Sequence, residues 1–237
     1  MYKLPFYVGG IISYFVPGRY RRRSVRGQIN VFLFRGIINR FVERVYGVRV
    51  NNIRFVRQVS MNRMTCVVND KYYVKIFRNV SVARLNDYKF LLDFIRPHLN
   101  TQIPEIFVAK HIPMYVAEKL PGTDMRDFDK QLILKNETKI KKQVIDVINA
   151  LKKIPVRDIP NNERFTFCVE DKEPKVYKTI TRNSVLAHRD LNASNLRLDD
   201  KLNLVSIIDW DTIVIVPKPN TDLYTFEKLW KIYKGKK

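Results

Sequence analysis

Apolar and polar positions along this chain follow two different periods, and the changes between them mark its parts. Phe34, Ile37, Ile38, Phe41 and Val45 recur every three or four residues, while Arg35, Asn39, Arg40, Glu43 and Arg44 fall elsewhere. That spacing predicts an amphipathic helix over roughly Val25 to Tyr46. From residue 53 the pattern shortens. Ile53–Val59, Met64–Asn69 and Tyr72–Phe77 read as strands, the last two joined by a turn at Asn69-Asp70-Lys71. In the third strand Tyr73, Lys75 and Phe77 share one face, with Val74 and Ile76 on the other.

Helical spacing returns over Ser81–Arg96, with Ser81 as N-cap and Pro97 as stop. Ile103–Ala109 and Met114–Glu118 add two strands before a Pro121-Gly122 turn. Ile140, Val144, Val147, Ile148 and Leu151 then make one face of a helix over Lys139–Lys153, and Pro155 follows its end. Residues 155–185 are irregular, polar and mixed in charge. Leu198, Leu202, Leu204 and Ile207 alternate around an Asp199-Asp200-Lys201 turn. Asp222 stands as N-cap of a last helix reaching Tyr233.

A chain of 237 residues that is 46% hydrophobic, with 12 Tyr and 14 Phe, is globular and long enough for one domain or two small lobes. Cys66 and Cys168 form no disulfide framework and read as reduced core thiols, which suits a cytoplasmic setting. His98, His111 and His188 are too scattered for zinc.

The formal net charge is +21, which predicts attraction to phosphate groups on nucleotides, nucleic acid, anionic lipid or glycans. A general proteome bias toward Lys and Arg gives the same number. Residues 1–49 hold ten Lys or Arg against Glu43 alone. Leu4 to Gly18 carries no charge but is too short, and too broken by Gly9-Gly10 and Pro17, to span a bilayer. No signal peptide is expected either, because the positive cluster follows the apolar run. The basic helix after it fits two settings: lying on an anionic membrane surface, or docked on the body of the domain. The RRRSVRGQ stretch is too short to make a nucleic-acid surface.

The chemistry concentrates in Leu186–Asp211, LAHRDLNASNLRLDDKLNLVSIIDWD. Asp190, an Asn five residues on (Asn195), and the acids Asp209 and Asp211 surround an apolar run. Phosphoryl transfer needs such a set: a carboxylate to orient an acceptor hydroxyl, and hard oxygen ligands for the Mg²⁺ on the phosphates. These residues could instead be turn formers in a hairpin, a role that suits Asn192, Asp199, Asp200 and Asn203.

With His188, Asp190, Asn195 and Ile208-Asp209-Trp210-Asp211, the segment resembles the protein-kinase-like superfamily, in the aminoglycoside phosphotransferase and choline kinase branch. That branch reads H-x-D-x-x-x-x-N and then I-D-W/F-D. The resemblance implies an α+β bilobal fold: a basic helical extension (1–49), a small β-rich nucleotide lobe with hinge (50–120), and a mainly helical catalytic lobe (121–237).

It further implies that Asp190 is the catalytic carboxylate and that Asn195, Asp209 and Asp211 hold Mg²⁺. Lys75 would grip the phosphates of ATP, with Asp87 (or Asp93) keeping it in place. Val116 would line the adenine pocket, and the backbones of Ala117 and Lys119 would hydrogen-bond the base. Ser60 would stand in the phosphate loop, which departs from the family in having no Gly between Ser60 and Met64. His188 would brace the loop.

Ser13 to Arg26 also resembles the openings of bacterial surface-polysaccharide and lipooligosaccharide biosynthesis proteins. The implied function is an ATP- and Mg-dependent kinase for a hydroxyl on an envelope sugar or lipid-linked glycan, peripheral on the inner face of the membrane. A chain ending at Lys237 would leave the acceptor site open. A small-alcohol or protein kinase, and a non-catalytic kinase-like module binding anionic polymers, remain as alternatives.

Overall fold

The computed structural model describes residues 4–14, 19–56, 63–171, 178–218 and 220–235. The chain groups into two compact units, Met1–Lys89 with Glu105–Lys119 and Phe90–Pro104 with Leu120–Lys237.

The first unit opens with helices α1 (Leu4–Tyr14) and α2 (Arg19–Tyr46). They pack as an antiparallel hairpin, with the rings of Phe6 and Phe34 meeting edge to face at 5.5 Å. α2 starts six residues before the predicted helix, because the arginine-rich first turns carry no apolar rhythm to betray it. Its apolar face is used internally: Phe34, Ile38 and Val42 are fully buried, and Ile37, Phe41 and Val45 pack against the same cluster. Of the two settings the pattern allowed for this face, docking on the domain is the one found. Each such side chain contributes about 1.5–3 kcal/mol by leaving water.

The partner of that face is an antiparallel sheet. Strands β1 (Ile53–Phe55), β2 (Arg63–Val68), β3 (Tyr72–Phe77), β4 (Ile106–Val108) and β5 (Met114–Glu118) lie in the order β1-β2-β3-β5-β4. Asn69 and Asp70 turn β2 into β3 with φ of 50° and 54°. Both are left-handed, a conformation that Asn and Asp tolerate and that matches the twist of a tight hairpin. Val68, Val74, Met114 and Val116 join the α2 cluster from the sheet. Cys66 is buried there, and burial pushes its thiol up to about 12.

Helix α3 (Val82–Ile95) follows, with Ser81 Oγ accepting the Arg84 amide at 3.0 Å as its cap. Pro97 sits within a short 3₁₀ turn, Arg96–His98, after the α-helix has ended.

In the second unit β6 (Thr123–Asp124) precedes α4 (Lys130–Lys135) and α5 (Glu137–Lys153). Ile140, Val144, Val147, Ile148 and Leu151 are all buried, as their spacing predicts. Beyond a stretch of 3₁₀ turns, β7 (Val185–Ala187) pairs with β10 (Val214–Val216), and β8 (Leu196–Leu198) lies between β6 and β9 (Leu204–Ile207). Gln143 of α5 grips the β8–β9 hairpin, donating to the Leu202 carbonyl at 3.1 Å and accepting the Leu204 amide at 2.8 Å. The last helix, α6 (Thr221–Lys234), ties to α5 through Glu137, which accepts from Trp230 Nε1 at 3.0 Å and Lys234 Nζ at 2.6 Å. Among the described residues no helix is long and apolar enough to cross a membrane.

Candidate functional site

The antiparallel pairing of β7 with β10 brings the residues after β7 beside those before β10, and His188 sits at that junction. Its amide donates to Asp222 Oδ2 at 2.7 Å, and its carbonyl accepts the Thr212 hydroxyl at 2.6 Å. Ring Nδ1 accepts the Asp190 amide at 3.2 Å, while Nε2 lies 3.3 Å from the Ile208 carbonyl. An accepting Nδ1 carries no proton, so the ring is the Nε2–H tautomer and donates to Ile208. The ring is fully buried, and burial pushes its pKa below the ordinary value despite the nearby charges of Asp222, Asp190 and Asp209. A neutral His188 therefore ties the Asp190 loop to the segment leading into Asp209. Trp210 closes over it, edge to face at 4.6 Å, with Nε1 donating to the Ile207 carbonyl at 2.8 Å.

Asp190 is held by amides on both oxygens. Asn192 Nδ2 donates to Oδ1 at 2.7 Å, and Asn195 Nδ2 donates to Oδ2 at 3.0 Å and to the Asp190 carbonyl at 2.8 Å. With its amide nitrogen so engaged, Asn195 turns its Oδ1 elsewhere, where among the described residues the Ser194 hydroxyl alone approaches, at 3.4 Å. Asn192 is itself fixed, since its Oδ1 accepts the amide and hydroxyl of Ser194. Two polar side chains thus aim one carboxylate.

Strand register brings the backbone leading into Asp209 beside Asn195. Leu196 of β8 faces Ile207 of β9, so Asn195 and Ile208 stand opposite each other, and the Ile208 amide donates to the Asn195 carbonyl at 3.0 Å. Asp209, the next residue, is half-buried and left-handed at φ 59°. Asp211 is 2% exposed, so it is the least accessible of the expected metal ligands. Among the described residues, no group of three or more His, Cys, Asp or Glu side chains is placed to hold a metal ion. The oxygens of Asn195 and Asp209 nonetheless suit Mg²⁺, which keeps several waters and takes one or two protein oxygens alongside phosphate.

Arg189 is left-handed at φ 66°, unusual for a long side chain, and such backbone costs on the order of 1–3 kcal/mol unless its surroundings impose it. Asp222 imposes it. One carboxylate, 3% exposed at the start of α6, accepts both the His188 and Arg189 amides at 2.7 Å. This corrects the N-cap assignment: the capping position belongs to Asn220, and Asp222 lies within the helix and faces the loop. Nothing local in the sequence reveals that role, because its partners lie more than thirty residues earlier. Beneath the hairpin, burial pushes the Asp124 carboxyl up, but hydrogen bonds from Arg126 and the charge of Arg197 hold it below its ordinary value. Arg197 of β8 reaches it at 3.0 Å.

In the first unit, Lys75 is half-buried on β3, in register with Thr65 and Tyr115, its ammonium 5.8 Å from the centre of the Tyr115 ring. Asp87 is half-buried on α3, whereas its alternative, Asp93, accepts Arg96 Nη1 at 2.7 Å. Val116 and Ala117 are buried in β5, opposite Val74 and Tyr73. The Lys119 amide donates to the Lys71 carbonyl at 2.7 Å, so the donor assigned to adenine is engaged within the sheet. Ser60 lies outside the described residues.

The fold that carries these residues is kinase-like, with a five-stranded antiparallel sheet in the first unit and the helices α5 and α6 with short paired strands in the second. Among solved structures, the GDP and kanamycin complex of APH(2")-IIia matches with a TM-score of 0.54 at 13% identity, over 86% of this chain and 83% of that one. The streptomycin–ATP–APH(2")-IIa ternary complex gives 0.54 at 15% identity, over 84% and 81%. The macrolide 2'-phosphotransferase MphH from Brachybacterium faecium gives 0.52 at 15% identity, over 84% and 82%. At these identities the likeness is one of fold. No family model matches the chain, and no curated protein matches it in sequence.

Proposed function

We propose that this protein is an ATP- and Mg²⁺-dependent phosphotransferase that phosphorylates a hydroxyl on a cell-envelope sugar or lipid-linked glycan of the lipopolysaccharide or lipooligosaccharide type. The observation that carries the transfer chemistry is the Asp190 carboxylate, gripped by Asn192 and Asn195 and tied through His188 to the loop bearing Asp209. In this reading Asp190 accepts the hydroxyl hydrogen bond and takes its proton as the phosphoryl group arrives. A carboxylate suffices because such transition states are loose and positioning dominates. Asn195, Asp209 and Asp211 would hold Mg²⁺, and the ion would neutralise charge on the phosphate oxygens. Lys75, kept in place by Asp87, binds phosphate. Val116 and the backbones of Ala117 and Lys119 receive the base, which asks the Lys119 amide to leave Lys71. Ser60 completes the phosphate loop.

The similar structures were solved with GDP and kanamycin and with streptomycin and ATP, which supports a nucleotide donor for this chain. The envelope assignment rests on the Ser13–Arg26 resemblance and the basic charge, and it puts the protein on the inner face of the membrane. Calorimetric titration with Mg·ATP and Mg·GTP tests the donor. Transfer of labelled γ-phosphate into lipid-linked glycans, by wild type and Asp190→Ala, tests the acceptor. Absence of saturable nucleotide binding overturns the reading and favours the anionic-polymer module.

A further inference from the structure

The core cluster consumes the apolar face of α2, yet the opposite side of that helix is not ordinary solvent surface. Phe32 is 74% exposed and Leu33 41% exposed, neighbours in sequence on the outward side. Scattered exposed apolar residues need no explanation. These two differ in what surrounds them. Phe32 edges a groove of about 310 Å³ between α2 and the segment leading into β1, lined also by Val31, Phe55, Gln28, Arg35, Asn51 and Asn52.

The groove is built rather than incidental. Asn69 Oδ1 accepts the amides of Asn51 and Asn52 at 2.9 and 3.1 Å, and its Nδ2 donates to the Arg49 carbonyl at 2.8 Å, fixing one wall. On the other wall Phe55 lies directly on the α2 backbone at Gly27, where a Cβ would fall 2.0 Å from its ring. Gln28, Phe32 and Arg35 follow one another at four- and three-residue steps, so they form a single stripe of the helix. Leu33, Gly36, Arg40 and Arg44 form the adjacent stripe, and all four are exposed. Among the described residues Arg35, Arg40 and Arg44 make no ion pair.

Two adjacent large apolar side chains, a cation at the edge of a part-apolar groove and a line of unneutralised arginines match one kind of partner. We propose that this face of α2 docks on a bilayer containing anionic phospholipid, with Phe32 and Leu33 entering the acyl boundary and a lipid phosphate seated against Arg35 in the groove. The charges are complementary, and the apolar pair supplies what a soluble anion could not use. The inference extends the membrane-face placement proposed above, and its readout is independent of catalysis.

The test is co-sedimentation of the full chain with vesicles of phosphatidylcholine alone and of equal phosphatidylcholine and phosphatidylglycerol, across a salt series. Wild type is expected to bind the anionic vesicles, more weakly as salt rises, and to leave neutral ones in solution. Phe32→Ser with Leu33→Ser, and separately Arg35→Ser, are each expected to weaken binding about tenfold or more. The charge-matched control Arg157→Ser, on the second unit, should change nothing. All these side chains are exposed, so the variants should melt like wild type and keep wild-type titration with Mg·ATP.

Equal loss from Arg157→Ser overturns the proposal in favour of diffuse charge. Wild type binding neutral vesicles equally well, or undiminished binding by the Phe32/Leu33 variant, also overturns it. So does stabilisation by inorganic phosphate that Arg35→Ser abolishes without any vesicle binding, since that marks a soluble-phosphate site. Failure to bind nucleotide while vesicle binding behaves as described removes the kinase reading and leaves this one standing.

Discussion

Asp222 holds the backbone of Arg189 in a conformation that arginine rarely adopts. Its carboxylate accepts the Arg189 amide and that of His188, both at 2.7 Å, from a site 3% exposed. The His188 amide lies where water cannot easily replace the lost acceptor, and the Arg189 amide is part-buried.

Replacing Asp222 with Ala therefore leaves the buried His188 N–H and the part-buried Arg189 N–H unpaired, at about 1–3 kcal/mol for each donor that water cannot reach. The expected outcome is a stability loss of about 2–5 kcal/mol by urea denaturation. It should come with a large drop in phosphoryl transfer, because Arg189 relaxes toward ordinary φ and carries Asp190 with it. Unchanged stability would show that the α6 carboxylate is dispensable to the loop.

Asp190 and Asn192 separate chemistry from aim. Asp190→Ala is expected to lower transfer by about 10²–10⁴-fold while leaving the nucleotide titration intact. Asn192→Ala removes the 2.7 Å bond to Oδ1 and the bonds Asn192 accepts from Ser194, while Asn195 still holds Oδ2. A smaller loss, about tenfold, is expected, in kcat rather than in the nucleotide KM. If Asn192→Ala matches Asp190→Ala, the amide does more than steer the carboxylate.

What could be read from the sequence follows how far apart the interacting residues are. The α5 face at Ile140, Val144 and Leu151 repeats within one helix, and the Asn69-Asp70 turn is set by its own side chains, so both were legible. Asp190 and Asn195 sit five residues apart, within reach of a motif. Asp222 is as central to the loop, but its partners arrive only by tertiary folding, and a Asp at a helix start reads as a cap. The short strands β7 and β10 escaped for a similar reason: three-residue segments carry too little pattern and exist because they pair with each other. In α2 the pattern announced an apolar stripe without saying what would cover it; the sheet does.

His188 gives the protein an acid limit. An unfolded histidine takes up a proton near pH 6.5, roughly, while burial holds the folded ring's pKa below that. Below the unfolded pKa the unfolded chain binds the extra proton, so this contribution is complete above about pH 6.5 and declines as pH falls toward the depressed folded value. The slope from one such group is at most about 1.4 kcal/mol per pH unit. His188→Asn, which lacks the titration, should be less stable than wild type at neutral pH. The gap should narrow between pH 7 and 5 when both are followed by urea unfolding. A constant gap would mean that the buried ring does not control acid stability.

Two glycines of α2 make the final comparison, because helix propensity favours alanine equally at both while their surroundings differ. At Gly36 an added Cβ meets nothing within 4 Å, so Gly36→Ala should raise stability by about 0.5–1 kcal/mol. At Gly27 the same methyl would fall 2.0–2.5 Å from three carbons of the Phe55 ring. The ring must then leave the helix, and overpacking of this kind costs about 1–3 kcal/mol, which outweighs the propensity gain. Opposite signs in the two melting shifts are expected. Because Phe55 also lines the groove beside Arg35, Gly27→Ala should weaken anionic-vesicle binding where Gly36→Ala leaves it unchanged. Equal shifts from the two variants would show that the Phe55 ring moves freely, and that the groove wall is softer than its packing on α2 implies.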